Sequence, residues 1–208
     1  MSQQSPCTGG PGAPARRTRA DNFSTVDGAA VHARLAGIMR AADGRGRPIS
    51  SGHAMARPDA TWLRESYAPA GAPPPLLFDT RAQFLATTAL EQAGADLLSQ
   101  HIYAGTDNER WGNADPYSPA VLGAAREAAA AAGQTLLIGE FGDGAPGNRT
   151  FTRNVLALLS AWRAPGAPNG ARFFGSLWSW ELLQQASTYA VFPGRDDAII
   201  DALVAHNG

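Results

Sequence analysis

Residues 135–141, Thr-Leu-Leu-Ile-Gly-Glu-Phe, constrain the fold of this chain more than any other stretch. A short continuous apolar run is the signature of a parallel strand covered on both faces. Arg47–His53, Asp96–Tyr103 and Arg172–Trp180 also read as strands, and a helical pattern follows each of the four. Strand starts recur about every 40 residues, the spacing of alternating strand–helix units. A parallel α/β sheet is therefore expected, either doubly wound or as part of an eight-stranded barrel.

The helices carry their own signals. Ser24 and Asp27 open the first, in which Val31, Leu35, Ile38, Met39 and Ala42 recur at helical spacing and predict a buried stripe. Thr80 with Gln83 forms a capping box that starts a helix running to about Gly94. Ser118 precedes Pro119, a favoured first helical residue, and Val121, Ala125, Ala128, Ala129 and Ala132 give that helix its inner face. Phe151, Val155, Leu158, Leu159 and Trp162 form the strongest apolar periodicity. A last helix starts near Asp196 and is expected to bury Ile199, Ile200, Leu203 and Val204. Residues 1–22, rich in Pro, Gly, Ser and Arg, read as a tail or long loop, which leaves 23–208 as the domain.

Composition removes several functions. The net charge is −1, so nucleic acid and anionic membranes are not expected as partners. All 17 basic residues are arginine. With Cys7 the single cysteine, neither an internal disulfide nor a thiolate metal site can form. Four histidines at 32, 53, 101 and 206 lack the spacing of a metal motif, so no metal and no cofactor is expected. There is no phosphate-cradling glycine motif and no GxSxG. No apolar stretch is long enough to span a bilayer, and no secretory leader opens the sequence, which points to the cytoplasm.

In parallel α/β folds the chemistry gathers at the C-terminal ends of the strands. The four predicted strands end at His53, at His101 and Tyr103, at Glu140, and at Trp178, Trp180 and Glu181. His101 and Tyr103 are two apart and share a face. A carboxylate closing an apolar strand is costly without partners or a task. Taken singly, Glu140 reads equally as a rim carboxylate paired with an arginine, His101 as a structural histidine and the tryptophans as packing. Their joint placement on successive strand ends favours a site.

His101-Ile102-Tyr103, then Ile138-Gly139-Glu140-Phe141-Gly142, then Leu177-Trp178-Ser179-Trp180-Glu181 resembles strands six to eight of glycoside hydrolase family 5, the cellulase-like barrels of clan A. Pro48-Ile49-Ser50-Ser51-Gly52 would be strand five, so the likeness runs from about Thr18 to the C-terminus. It implies the C-terminal half of a (β/α)8 barrel, with four parallel strands and flanking helices. It also implies a retaining hydrolase of β-glycosidic bonds with Glu140 as nucleophile. His101 and Tyr103 would hold that carboxylate in place, and a tyrosine hydroxyl donating to a carboxylate favours the anion. Trp178, Trp180 and His53 would bind substrate, an oligo- or polysaccharide, with sugar C–H faces packing on indole.

Retaining hydrolysis needs a second carboxyl group about 5–5.5 Å from the first. The family's acid/base is a Glu following an Asn at the end of strand four, and this sequence is expected to begin just past that strand. Asn108-Glu109 lies after the second predicted strand, the wrong strand end, and is read as coincidence. The expected protein is thus a truncated hydrolase lacking its acid. It would be completed by self-association or by a separate N-terminal half, in which case an extracellular location is also open. A carbohydrate-binding pseudoenzyme and a siteless α/β module are the competing readings.

Overall fold

A computed structural model describes residues 25–56, 78–105, 108–144, 149–163, 173–179 and 189–207. The described residues form helices α1 (Thr25–Ala42), α2 (Arg81–Glu91), α3 (Ala120–Ala131), α4 (Thr150–Arg163) and α5 (Asp197–Asn207) and strands β1 (Leu97–Tyr103), β2 (Thr135–Gly142) and β3 (Phe173–Leu177). The sheet order is β1-β2-β3, and both pairings are parallel.

Three of the four expected strands form. The first is reduced to a single parallel bridge between Ser50 and Leu97. The reason lies at the free edge of β1. The Gln92 side chain, fully buried at the C-terminus of α2, accepts from the Ser99 N–H and donates to the Ser99 carbonyl at 2.7 Å. That amide occupies the hydrogen-bonding positions a longer neighbouring strand would need. Ser51 then donates to Gln92 Oε1 at 3.2 Å instead of continuing the ladder.

One face of the sheet makes the main core. Leu98 and Ile102 of β1 and Leu136 and Ile138 of β2 join Val121, Leu122, Ala125, Ala128 and Ala129 of α3 and Phe151, Val155 and Leu159 of α4 in one apolar cluster. Both crossover helices therefore cover the same face, as right-handed connections between strands taken in sequential order require. The opposite face carries Leu97, Ser99, His101 and Tyr103, the odd-numbered residues of β1.

The capping box at Thr80 is present: its side chain accepts from the Gln83 N–H, and Gln83 reaches back to the Thr80 N–H at 2.8 Å. α4 starts on Asp143, fully buried, which accepts from the Phe151 and Thr152 amides at 3.2 and 2.8 Å and from the Thr152 hydroxyl at 2.7 Å. A buried Arg149–Asp196 ion pair at 3.0 Å ties that turn to the segment before α5. Burial pushes the Asp196 carboxyl up, but hydrogen bonds from Arg149, the Phe192 amide and Arg195 outweigh it and leave Asp196 below its ordinary value.

Two helices depart from expectation. In α1 the stripe of Val31, Leu35, Ile38 and Met39 is 45–57% exposed, while Ala29 and Ala36 are buried. α1 is held by polar contacts instead: Arg40 donates to the Gly94 carbonyl and to Asp96, and His32 Nδ1 meets the Glu91 carbonyl at 2.6 Å. In α5 Ile199 is buried, but Val204 is 67% exposed. No helix among the described residues is long and apolar enough to cross a membrane.

Candidate functional site

The site is built by an irregularity between β1 and β2. Gln100 pairs with Ile138, but His101 pairs with Glu140, so Gly139 is the extra residue of a bulge. A bulge re-aims the side chains beside it. Ile138 remains in the helix-covered core, while Gly139 and Glu140 both come against the His101 side of the sheet. A Cβ on Gly139 would lie 2.7 Å from His101 Nε2 and 2.9 Å from its Cδ2. Glycine is thus what allows the imidazole to lie across β2.

Three of the expected residues meet there. Tyr103 donates its hydroxyl hydrogen bond to Glu140 Oε2, and His101 Nδ1 stands 3.5 Å from the same oxygen. The His101 and Glu140 side chains are 25% and 29% exposed, enough for a ligand to reach the carboxylate. Burial, the Glu140 hydrogen bond and the Glu140 charge all push the Tyr103 hydroxyl well above its ordinary value, so it remains a donor at any physiological pH.

The third strand closes on the second. Trp178 follows β3, half-buried, and its N–H donates to the Phe141 carbonyl at 2.9 Å. Its carbonyl would be 2.5 Å from a Cβ on Gly142, so the second glycine of the Gly-Glu-Phe-Gly element lets β3 close on β2. Trp180 and Glu181 lie outside the described residues.

His53 is placed nearby but engaged elsewhere. Its Nε2 is 3.5 Å from Glu91 Oε2, and its ring meets His32 edge-to-face at 5.1 Å. Burial holds His53 below its ordinary value, with the charges of His32 and His101 acting in the same direction.

Tyr189 is a site residue that sequence reasoning missed. Its ring packs edge-to-face on Tyr103 at 5.0 Å, and it borders Gly142 and Gly144. Arg149 Nη1 donates to the Tyr189 carbonyl at 3.4 Å, which places it. Tyr189 belongs to the irregular segment before α5, where no periodicity announces a residue's direction.

Asn108 and Glu109 do not resemble a catalytic pair. The buried Asn108 amide donates to the Tyr103 and Pro116 carbonyls at 2.7 and 2.9 Å and so holds its own loop together, while Glu109 is exposed. Among the described residues no group of three or more His, Cys, Asp or Glu is arranged to hold a metal ion.

The arrangement offers one accessible carboxylate whose Oε2 is fixed by two side chains, leaving Oε1 to act on a bound molecule. Compared with protein-family models, curated proteins and solved structures, the chain has no match.

Proposed function

We propose that this chain carries the nucleophile half of a retaining β-glycosidase site, on strands five to eight of a cellulase-like (β/α)8 barrel. The observation that carries this reading is the convergence of Tyr103 and His101 on one oxygen of Glu140 at the C-terminal end of β2. The parallel, sequential strand order with crossover helices on one face supports the barrel part of it. In this reading Glu140 attacks the anomeric carbon of a sugar, and a glycosyl ester forms as the bond to the leaving oxygen breaks. Tyr103 holds the carboxylate at the attack angle. Trp178, with Trp180, supplies the apolar wall on which the sugar ring rests.

Glu140 is tested apart from any acid by a fluorosugar bearing a dinitrophenyl leaving group. The new bond joins Glu140 Oε to the anomeric carbon, and the phenolate departs with its electron pair and needs no proton. Mass spectrometry should find the sugar on the peptide containing Glu140 in the wild type and not in Glu140→Gln. An unlabelled wild type, or a label elsewhere, removes the reading.

A second reading, a carbohydrate-binding protein without turnover, is favoured by the loop role of Asn108, which leaves the only Asn-Glu pair of the sequence without a place in catalysis. Binding of oligosaccharides by tryptophan fluorescence, with no trapping at Glu140, would identify it.

A further inference from the structure

The loop after β1 contains a residue that packing alone does not explain. Asn113 N–H donates to the Arg110 carbonyl at 3.0 Å, closing a tight turn. Its two central residues, Trp111 at φ 55° and Gly112 at φ 84°, are both left-handed. Two left-handed central residues make a type I′ turn, a geometry that selects Gly, Asn and Asp. Gly112 conforms. Trp111 is the one described non-glycine residue with a positive φ, and a bulky side chain in that region is an outlier. Such outliers are informative because the surrounding structure must hold them in place.

The surrounding structure does so. The indole Nε1 donates to the Asp79 carbonyl at 3.1 Å, and the ring meets fully buried Phe84 edge-to-face at 5.2 Å. The Arg110 guanidinium also lies over Phe84, 5.1 Å from its centroid. Yet Trp111 is 37% exposed, and Phe78, next to Asp79, is 67% exposed. With its N–H committed inward, the indole presents carbon surface to solvent from a rigid mount.

The position matters as much as the ring. α2 ends at Glu91, six residues before the bridge partner Leu97 opens β1, so its C-terminus lies at the strands' N-terminal end and its N-terminus, with Phe78 and Asp79, at the opposite rim. The loop after β1 leaves the sheet at that rim, the one that holds Glu140. The surface that the Trp111 and Phe78 side chains expose is far smaller than the about 800 Å² per partner of a stable protein interface. It has the dimensions of a sugar ring, whose C–H face packs on an aromatic surface.

The geometry points to Trp111, with Phe78 beside it, as a stacking subsite for a sugar unit of an extended oligosaccharide, away from the unit held at Glu140. This inference rests on the carbohydrate reading of the Glu140 site, and its test separates the two. Calorimetry on the full chain carrying Glu140→Gln would titrate β-linked gluco-, xylo- and manno-oligosaccharides, each as the disaccharide and the hexasaccharide. The hexasaccharide of the preferred sugar should bind more tightly. Trp111→Ala should remove about five- to tenfold of that gain, the worth of one stacked ring, and leave disaccharide affinity unchanged. Phe78→Ser, at a side chain already exposed, should reduce the same gain and decides the question if Trp111→Ala does not fold. Fluorosugar trapping at Glu140 should be unaffected by Phe78→Ser. A full chain-length gain in Phe78→Ser and in folded Trp111→Ala, or no oligosaccharide binding at all, overturns the subsite. A gain that depends on Trp111 without trapping at Glu140 overturns the nucleophile and leaves the subsite standing.

Discussion

The sharpest prediction concerns the bulge. Replacing Gly139 by Ala adds a Cβ at 2.7 and 2.9 Å from two atoms of the His101 ring. An imidazole is rigid, and this one is set between Gly139 and Glu140 Oε2, so it must rotate away or the strands must part. Overpacking of that kind costs about 1–3 kcal/mol. In a His101→Ala background the next atom the Cβ meets is Ser99 Oγ at 3.4 Å, an ordinary contact. Gly139 is not among the glycines with positive φ, so the alanine is unstrained there and should stabilise by about 0.4–1 kcal/mol through the unfolded chain. That gain is common to both backgrounds and cancels, so urea unfolding of the wild type, both single variants and the double variant should give a coupling energy equal to the overpacking cost, about 1–3 kcal/mol. The sign of the Gly139→Ala effect should reverse between backgrounds. Equal costs in both, within about 0.5 kcal/mol, would mean that the bulge does not press Gly139 onto His101 and that the derivation of the site is wrong.

Four other perturbations probe the supports of the site. Gln92→Leu orphans the Ser99 N–H and carbonyl, at about 1–3 kcal/mol for each buried group; the Ser99 amide should lose its hydrogen-exchange protection, and unchanged protection would refute the edge role of Gln92. Asp143→Ala removes the cap of α4 and should cost about 0.5–2 kcal/mol by chemical unfolding, whereas an unchanged midpoint would show the cap to be dispensable. His53 lies below its ordinary 6.5 in the folded chain, so the unfolded state takes up more protons and stability should fall as pH drops from about 7 towards 5. His53→Asn should flatten that slope in thermal melts, and a wild type that gains stability on acidification would show that Glu91 outweighs burial. Asp196 acts in a separate window: its carboxyl is held below the ordinary 3.8, so its contribution should persist to about pH 4 and be lost below it, and Asp196→Asn should remove that lower step.

The sequence makes β2 legible because Leu136, Ile138 and Phe141 must be buried wherever the strand sits, and the structure buries all three. The strand ends at His101, Tyr103 and Glu140 were legible for a related reason: polar groups at the close of apolar runs need partners, and these three supply one another. The first strand was over-read. Ile49 is buried as a strand residue would be, but a Gln92 amide competes for the edge of β1, and nothing in the pattern of residues 47–53 reveals a competitor from another element. α1 shows the limit of periodicity in another way. Its spacing defines an apolar stripe, but what a stripe faces is decided by its surroundings, and here Arg40 and His32 fix the rotation of the helix with Val31, Leu35, Ile38 and Met39 outward.

At Glu140 the residue pattern alone does not set the direction of the side chain. Strict alternation from Leu136 and Ile138 would send residue 140 into the helix-covered core, where an unpaired carboxylate is untenable. The one-residue bulge at Gly139 changes that parity, so Glu140 faces His101 and Tyr103 while Phe141 returns to the core. The bulge thus removes the conflict between a core-facing position and a charged residue. The same glycine also makes room for the His101 ring. Fold and site are thus joined at one position. A change that restored regular pairing at 139 would place Glu140 in apolar surroundings and separate it from its partners, costing both the stability of the sheet and the chemistry of the carboxylate.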